Sequence, residues 1–297
     1  MITKTAMIAI IGRPNVGKST LTNKLVGEKV AIVTNKPQTT RNRIFAVVNS
    51  GDTQVVLMDT PGFHRARTKL GDYMVKVVNE SVADVDAAVM IVEPVDNIGS
   101  QEEKLIERLK EVGAPAILAI NKIDTVKKEE ILAVIARYSQ AFDFDAIVPI
   151  SARTGEGTQE LLEEIKKYAV EGPQLFPDGM VTDQPERQIC SEIVREKLLL
   201  CLDKEIPHGT AIEVTKFSQR DNDIIDMDVT IFCEKESHKR IIIGKNGMMI
   251  KKIGELARAD IEKFMGEKVF LQTWVKVRTG WRNSSGQIRN FGFVLDR

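Results

Sequence analysis

Cysteine, aromatic residues, long apolar runs and net charge are all scarce in this chain of 297 residues. Only three cysteines occur, Cys190, Cys201 and Cys233. They form no C-x-x-C pair and leave an odd thiol, so neither a disulfide framework nor a zinc knuckle is expected. His208 and His238 have no ligand partner at metal spacing and read as structural or solvated. No apolar run approaches the ~18 residues of a membrane-spanning helix. The start, MITKTAMIAIIG, has one lysine and a short apolar run with no cleavage-site pattern behind it, and reads as a first strand rather than a signal peptide. The expected compartment is the cytoplasm. Basic and acidic residues balance at 42 each, so overall charge points to no polyanionic partner.

What is present is a globular composition, 43% hydrophobic and 28% charged, long enough for about two domains at roughly 150 residues each. Charge becomes informative along the chain. Residues 186–234 carry 6 basic and 11 acidic residues, whereas 235–297 carry 14 and 6. A basic stretch attached to an acidic one can put positive potential on one face, although a lysine-rich solvated helix gives the same count.

The first 170 residues alternate strand and helix signals. Apolar, nearly charge-free runs stand at 6–11, 53–58, 87–92, 116–120 and 146–150, as expected of strands covered on both faces of a parallel sheet. Charged segments of helical period, such as 101–112 and 158–168, lie between them. Residues 44–48 and 53–58 flank Asn49-Ser50-Gly51-Asp52, a hairpin signal that makes one edge antiparallel. A doubly wound α/β domain follows. Residues 171–187 hold three of the ten prolines and two glycines and read as a linker. Beyond it come a helix (188–203), strand-like runs (211–217 and 224–234), a short helix, the turn Gly244-Lys245-Asn246-Gly247, a long helix (248–265) and a strand (267–277). In the long helix Ile250, Ile253, Leu256, Ala257, Ile261 and Phe264 make one apolar face.

Three segments at strand ends carry chemistry. Gly12-Arg13-Pro14-Asn15-Val16-Gly17-Lys18-Ser19 follows the first strand and opens a helix, the context that G-x-x-x-x-G-K-S requires. Its glycines let backbone N–H groups curl toward phosphate oxygens, and the helix N-terminus adds its positive end. Lys18 is placed to reach the β- and γ-phosphates and the Ser19 hydroxyl to ligate Mg²⁺, with Thr20 next in the helix. Asp59-Thr60-Pro61-Gly62 ends the run 53–58; the aspartate can hold Mg²⁺ through a water and the glycine N–H can meet the γ-phosphate. Asn121-Lys122-Ile123-Asp124 ends the run 116–120. The Asp124 carboxylate can accept two parallel hydrogen bonds from guanine, which adenine does not offer, so GTP is selected over ATP. The Lys122 stem can cover the purine, and Ser151-Ala152-Arg153 supplies a backbone N–H for guanine O6. The ordered set reads as a GTPase.

These motifs, GRPNVGKS, DTPG, NKID and SAR, resemble those of the translation-factor-related GTPases. The resemblance implies that a threonine before the second strand closes over Mg²⁺. Thr39-Thr40-Arg41 stands there, with Thr40 the favoured ligand and Thr39 the alternative. Ser19, Thr40 and Asp59 are then the expected metal ligands, and Lys18, Thr40, Asp59 and Gly62 the expected catalytic set. Phe63 occupies the place where glutamine-dependent GTPases orient water. His64 follows it as a weak candidate base. Asn15 resembles the asparagine that binds K⁺ in some relatives, where the ion offsets transition-state charge. Slow intrinsic turnover, on the order of 10⁻³ s⁻¹ or below, is expected.

The run Ile241-Ile242-Ile243 leads into the glycine turn, and Lys239, Arg240, Lys245, Lys251 and Lys252 cluster about it. With Ile243, Gly244, Lys245, Asn246 and Gly247, this resembles the KH module, whose G-x-x-G loop clamps single-stranded nucleic acid. The element order is that of the type II variant. The expected fold is thus α/β: a P-loop GTPase domain with a mostly parallel six-stranded sheet and one antiparallel edge (1–172), a linker (173–187), a small α+β KH domain (188–280) and a tail (281–297). A GTPase joined to a C-terminal KH domain resembles the bacterial ribosome-assembly GTPases. Membership implies binding near the 3′ end of the small-subunit (16S) rRNA, a role on the 30S subunit, a monomer, and weak peripheral association with the inner membrane. Two other readings stand beside it: a GTPase whose second domain binds a protein partner, and an RNA-binding scaffold with a structural nucleotide.

Overall fold

The computed structural model describes residues 2–64, 66–220 and 224–293. Its contacts divide the chain into two units, the first built mainly from residues up to Asp183 and the second mainly from Gln184 onward.

In the first unit the strands are β1 (Lys4–Ile11), β2 (Ile44–Ser50), β3 (Thr53–Asp59), β4 (Ala87–Val92), β5 (Ala116–Ile120), β6 (Ala146–Pro149) and β7 (Val170–Glu171). The helices are α1 (Lys18–Val26), α2 (Lys69–Ser81), α3 (Ser100–Val112), α4 (Lys128–Ala141) and α5 (Thr158–Lys166). The sheet order is β2-β3-β1-β4-β5-β6. All neighbours are parallel except β2 and β3, the hairpin anticipated around Gly51. One addition is β7, two residues antiparallel to the start of β1 and too short to leave a periodic signal. The continuous apolar runs have a simple cause: alternate residues feed opposite cores. Ala6, Ile8 and Ile10 of β1 enter one cluster with Leu21 and Leu161, while Ala9 and Ile11 enter the other with Leu105, Leu109 and Val134. Each Ile, Leu or Val among them contributes roughly 1.5–3 kcal/mol on burial.

The proline-containing stretch after β7 is tied down along the β2–β3 hairpin. Val47 N–H donates to Val181 O (2.9 Å), and the fully buried Gln54 side chain donates to Phe176 O (3.0 Å) and accepts from Leu175 and Phe176 N–H (each 2.9 Å). Residues 173–183, read above as linker, therefore belong to the first unit.

The second unit contains α6 (Glu186–Cys201), β8 (Ala211–Gln219), β9 (Ile224–Cys233), α7 (Glu236–Ile243), α8 (Met248–Met265), β10 (Lys268–Val277) and α9 (Ser285–Asn290). The order is β10-β9-β8, with β8/β9 antiparallel and β9/β10 parallel. A parallel pair needs a crossover, and α7 and α8 supply it. Ile225, Met227, Val229, Ile231 and Cys233 of β9 face Ile193 and Leu198 of α6 and Ile253, Ala257 and Ile261 of α8. Leu256, placed above on the apolar face, is 42% exposed; the helix presents a narrower stripe than its composition suggests. The three cysteines are free thiols. Residues 281–293 fold back on this unit: Trp281 is fully buried, donates to Gly209 O (2.9 Å) and packs edge-on against Phe291. The end of the expected tail, 294–297, lies outside the described residues. The segment Ile32–Thr39 groups with the second unit, where Val33 N–H donates to Glu196 Oε1 (3.0 Å).

Candidate active site and nucleic-acid interface

Residues 12–17 join β1 to α1 through backbone conformations that side chains resist. Gly12 has φ +154°, and a Cβ there would lie 2.5 Å from Ile91 O. Gly17 has φ +106°, and its Cβ would lie 2.2 Å from Asn121 Nδ2. The fold thus closes on the loop so tightly that only glycine fits at either end. Lys18 turns back over the loop, donating to Gly12 O (3.0 Å) and Arg13 O (2.9 Å). Burial pushes its ammonium down to about 8, against the pull of the Asp59 charge.

Ser19, Thr40 and Asp59, drawn from α1, the loop before β2 and the end of β3, meet at one point. Ser19 Oγ donates to Asp59 Oδ2 (2.7 Å) and lies 2.9 Å from Thr40 Oγ1. The Thr39 hydroxyl instead donates to Lys36 O (2.6 Å), so Thr40 is the threonine beside Ser19. Burial raises Asp59 to about 6, and the Ser19 hydrogen bond and the Lys18 charge oppose that rise. Asp59 Oδ1 is buried with no hydrogen-bond partner. Two hydroxyls and a carboxylate with one unused oxygen form an all-oxygen donor set that fits a small hard cation such as Mg²⁺. Among the described residues no cluster of three His, Cys, Asp or Glu side chains offers another metal site.

The loop after β3 lies against the phosphate loop. Phe63 N–H donates to Gly12 O (3.1 Å), and a Cβ on Gly62 would come within 2.7–2.9 Å of Pro14 Cα, N and Cγ. Thr60 Oγ1 donates to Ile10 O (2.7 Å). The Phe63 ring packs on the second core, and His64 Nδ1 lies 2.9 Å from Gly62 O within its own loop.

Asn121 acts as a strut between motifs. Its Nδ2 donates to Val16 O (2.7 Å) and its Oδ1 accepts from Ala152 N–H (2.9 Å). Asp124 accepts from Ser151 Oγ (2.6 Å) and Arg153 Nη2 (2.5 Å), and the Ser151 hydrogen bond leads in holding the carboxyl below its usual range. Sequence reasoning missed Glu93 and Glu102. Glu93 pairs with Lys122 and with Arg13 Nη2 (2.8 Å), and Arg13 Nε reaches Glu102 Oε1 (2.7 Å). The available signal was position: Glu93 is the first charged residue beyond an apolar strand, where α/β sites gather.

In the second unit α7 and α8 meet at the glycine turn. Gly244 has φ +74° and Gly247 φ +75°, with Asn246 at φ +50° between them. A Cβ on Gly244 would lie 2.7 Å from Met249 Cβ. Arg240, Lys245, Asn246, Lys251 and Lys252 are exposed; Lys239, Ile243, Gly244 and Gly247 are half-buried. Ile241 (48%) and Met248 (61%) add exposed apolar surface beside the cations, while Ile242 is buried in the core.

The family described as a 50S ribosome-binding GTPase matches residues 7–122, and the KH domain family matches 205–282. GTPase Era of Ruminiclostridium cellulolyticum is 48% identical over 294 residues, covering 99% of each chain. GTPase Era of Clostridioides difficile is 49% identical over 292 residues and 98% of each. The chain belongs to the GTPase Era family.

Solved Era structures bear out the fold. An Era in complex with MgGDPNP and nucleotides 1506–1542 of 16S ribosomal RNA has a TM-score of 0.95 at 36% identity, covering 99% of this chain and 100% of its own. Aquifex aeolicus Era, in a variant bound to GDP·AlF₄⁻, has a TM-score of 0.94 at 36% identity, covering 98% and 100%. As a member of that family, this chain is a GTPase.

Proposed function

We propose that this protein is a GTP-driven switch that binds the 3′ region of 16S rRNA through the glycine turn of its KH domain and assists 30S subunit assembly. The observation that carries the nucleotide half is the convergence of Ser19, Thr40 and Asp59 beside Lys18. Ser19 and Thr40 would hold Mg²⁺ directly and Asp59 through water, beside phosphates cradled by the backbone of 12–18 and Thr20. Bound there, Mg²⁺ offsets charge on the β- and γ-phosphates. Lys18 exchanges its carbonyl partners for phosphate oxygens, and Gly62 N–H meets the γ-phosphate through the loop of Thr60 and Pro61. Asp124 reads the guanine edge, Lys122 covers its face, and Ser151, Ala152 and Arg153 frame it. Phe63 carries no hydrogen-bonding side-chain atom, so it does not orient the attacking water. K⁺ at Asn15 is the proposed source of further charge compensation, and equal turnover in K⁺ and Na⁺ removes that part.

The RNA half is supported by the KH match, the left-handed turn and its exposed cations, and by the relative crystallised with 16S rRNA. Small residues admit the nucleic-acid backbone while Lys239, Arg240, Lys245, Lys251 and Lys252 meet phosphates. The chain is proposed to act as a cytoplasmic monomer with weak peripheral contact with the inner membrane, testable by vesicle flotation; no described helix is long and apolar enough to cross a membrane.

The test is affinity for single-stranded RNA from the 3′ end of 16S rRNA at one salt concentration, with a nonhydrolysable GTP analogue, with GDP and with neither. Tighter binding with the GTP analogue, weakened by Lys245→Glu, is expected. Binding indifferent to nucleotide leaves two tethered modules, and no binding favours a protein partner.

A further inference from the structure

Glu93 is the first residue beyond β4, the strand that lies between β1 and β5 in the sheet. Its carboxylate is shared between two cations that come from different nucleotide motifs: Oε1 pairs with the Lys122 ammonium and Oε2 accepts from Arg13 Nη2 (2.8 Å). Nε of the same Arg13 guanidinium lies 2.7 Å from Glu102 Oε1, whose side chain is only 5% exposed in the first turn of α3. A helix N-terminus favours a carboxylate, so Glu102 is itself well placed. The result is an alternating chain, Lys122–Glu93–Arg13–Glu102, that is neutral overall.

We propose that Glu93 is a positioning residue: it holds the Lys122 stem where the purine lies and ties it, through Arg13, to the loop that carries the phosphates. The inference rests on the reading of Lys122 as the residue covering the base. A lysine stem has four rotatable carbons and loses much rotamer freedom when fixed, so a free Lys122 makes a poor wall for a ring. Here its backbone is left-handed (φ +67°) and its ammonium is anchored, which fixes both ends of the stem. Arg13 is held in the same way. Its guanidinium donates to Glu93 and forms an ion pair with Glu102, and its own carbonyl accepts from Lys18 Nζ (2.9 Å). One carboxylate thus links the wall of the base site to the carbonyl on which Lys18 rests. Neither Lys122 nor Arg13 reaches the other directly at this point; Glu93 is the shared partner.

Two physical roles for Glu93 predict opposite signs. A carboxylate acting only through its charge repels the nucleotide's phosphates, so removing it slows nucleotide release. A carboxylate acting by positioning holds Lys122 on the base, so removing it speeds release. The identity of the purine adds a second discriminator. Lys122 meets the face of any purine, whereas Asp124 reads the 2-amino group that inosine lacks; an effect through Lys122 is therefore equal for GDP and inosine diphosphate.

The experiment is stopped-flow release of fluorescently labelled GDP and inosine diphosphate from the full chain, comparing wild type, Glu93→Gln, Lys122→Ala and the double variant. Nucleotide-free melting temperatures are measured in parallel. Glu93→Gln is expected to release both nucleotides about tenfold faster, as befits loss of one charge-assisted contact. The double variant should release no faster than Lys122→Ala alone, because the two residues act as a unit. Melting of the nucleotide-free protein should be unchanged, which a merely structural role would not allow. Slower or unaltered release in Glu93→Gln, while Lys122→Ala speeds it, overturns the positioning role, and so does additivity of the two changes. If Lys122→Ala itself leaves release unchanged, the base-covering reading fails first, and that outcome is told apart by the single variant.

Discussion

The nucleotide site and the glycine turn of the KH domain both receive phosphates in this reading, yet they are built on opposite physical plans. The first is buried and internally bonded: Lys18 and Asp59 are desolvated, Asn121 ties two loops together, and glycines at 12 and 17 sit where any side chain would collide. The second is open: four of its five cations are exposed, and its glycines are needed for positive φ, with a close contact only where Gly244 meets Met249. A buried polar site recognises one ligand with fixed geometry and sacrifices stability for it. An exposed basic turn follows a flexible backbone, and its affinity depends on salt. Substitutions of the buried groups in the first region should therefore change stability as well as function, in either direction, and substitutions of side chains in the second should move binding alone.

The largest expected break comes from Gly12→Ala. Its Cβ would sit 2.5 Å from a backbone carbonyl oxygen at φ +154°, so both nucleotide binding and more than about 2 kcal/mol of stability should be lost. Thermal melting and equilibrium GDP binding measure the two losses, and a well-folded variant with normal affinity contradicts the tight-packing account. Next in size, Asp124→Asn should weaken GTP binding by about two to three orders of magnitude, because the pair of acceptors for guanine is gone. Unchanged affinity for GTP counts against Asp124 as the base reader.

Asp59→Asn sharpens the contrast by separating function from stability. The folded state raises this carboxyl to about 6, so it holds a proton that the unfolded chain releases near pH 4. Ionising it therefore lowers stability as pH rises from about 4 through 6, by about 2–3 kcal/mol. Nucleotide-free protein without added magnesium should gain about that much at pH 7.5 on substitution, as read by urea titration, and gain nothing at pH 4; hydrolysis should be lost. Equal stability of the two proteins at pH 7.5 removes the claim that the site is costly.

The smallest effect is expected in the open region. Lys245→Glu should weaken RNA binding about tenfold and lower the salt slope by about one, with stability within about 0.5 kcal/mol of wild type. A slope identical to wild type means that Lys245 meets no phosphate. Gly244→Asp, attractive from composition because it adds bulk and charge, is a poorer probe. Its Cβ would meet Met249 Cβ at 2.7 Å, so the start of α8 is strained along with the turn.

Much of this architecture was legible from residue order. Five of the six main strands fall where the charge-free runs lie, since a strand covered on both faces has no room for charge, and the sixth, β2, falls on the hairpin arm 44–48. The hairpin at Gly51 follows from turn residues, and the element order of the second unit from helical period and strand-like runs, while its parallel crossover was implied only by the KH resemblance. Less legible were elements whose stability comes from partners distant in sequence. The stretch 173–183 has linker composition but is held by Gln54, more than a hundred residues upstream. Trp281 opens a segment that composition offers as a tail, and it is buried because Gly209 accepts its indole N–H.

Residue types and their local spacing pointed by themselves to the backbone segments proposed to meet phosphate, to the strands that carry them, and to a GTPase. Those properties depend on φ preferences, apolar periodicity and the donor–acceptor pattern of single side chains. Only the tertiary structure decided which polar groups meet across the sheet. It brings Thr40 rather than Thr39 to Ser19, makes Asn121 a strut between Val16 and Ala152, and gives Lys122 and Arg13 a common partner in Glu93. Long-range pairing of charges is set by how strand ends converge once the apolar faces are buried, and no local pattern in the chain encodes that convergence.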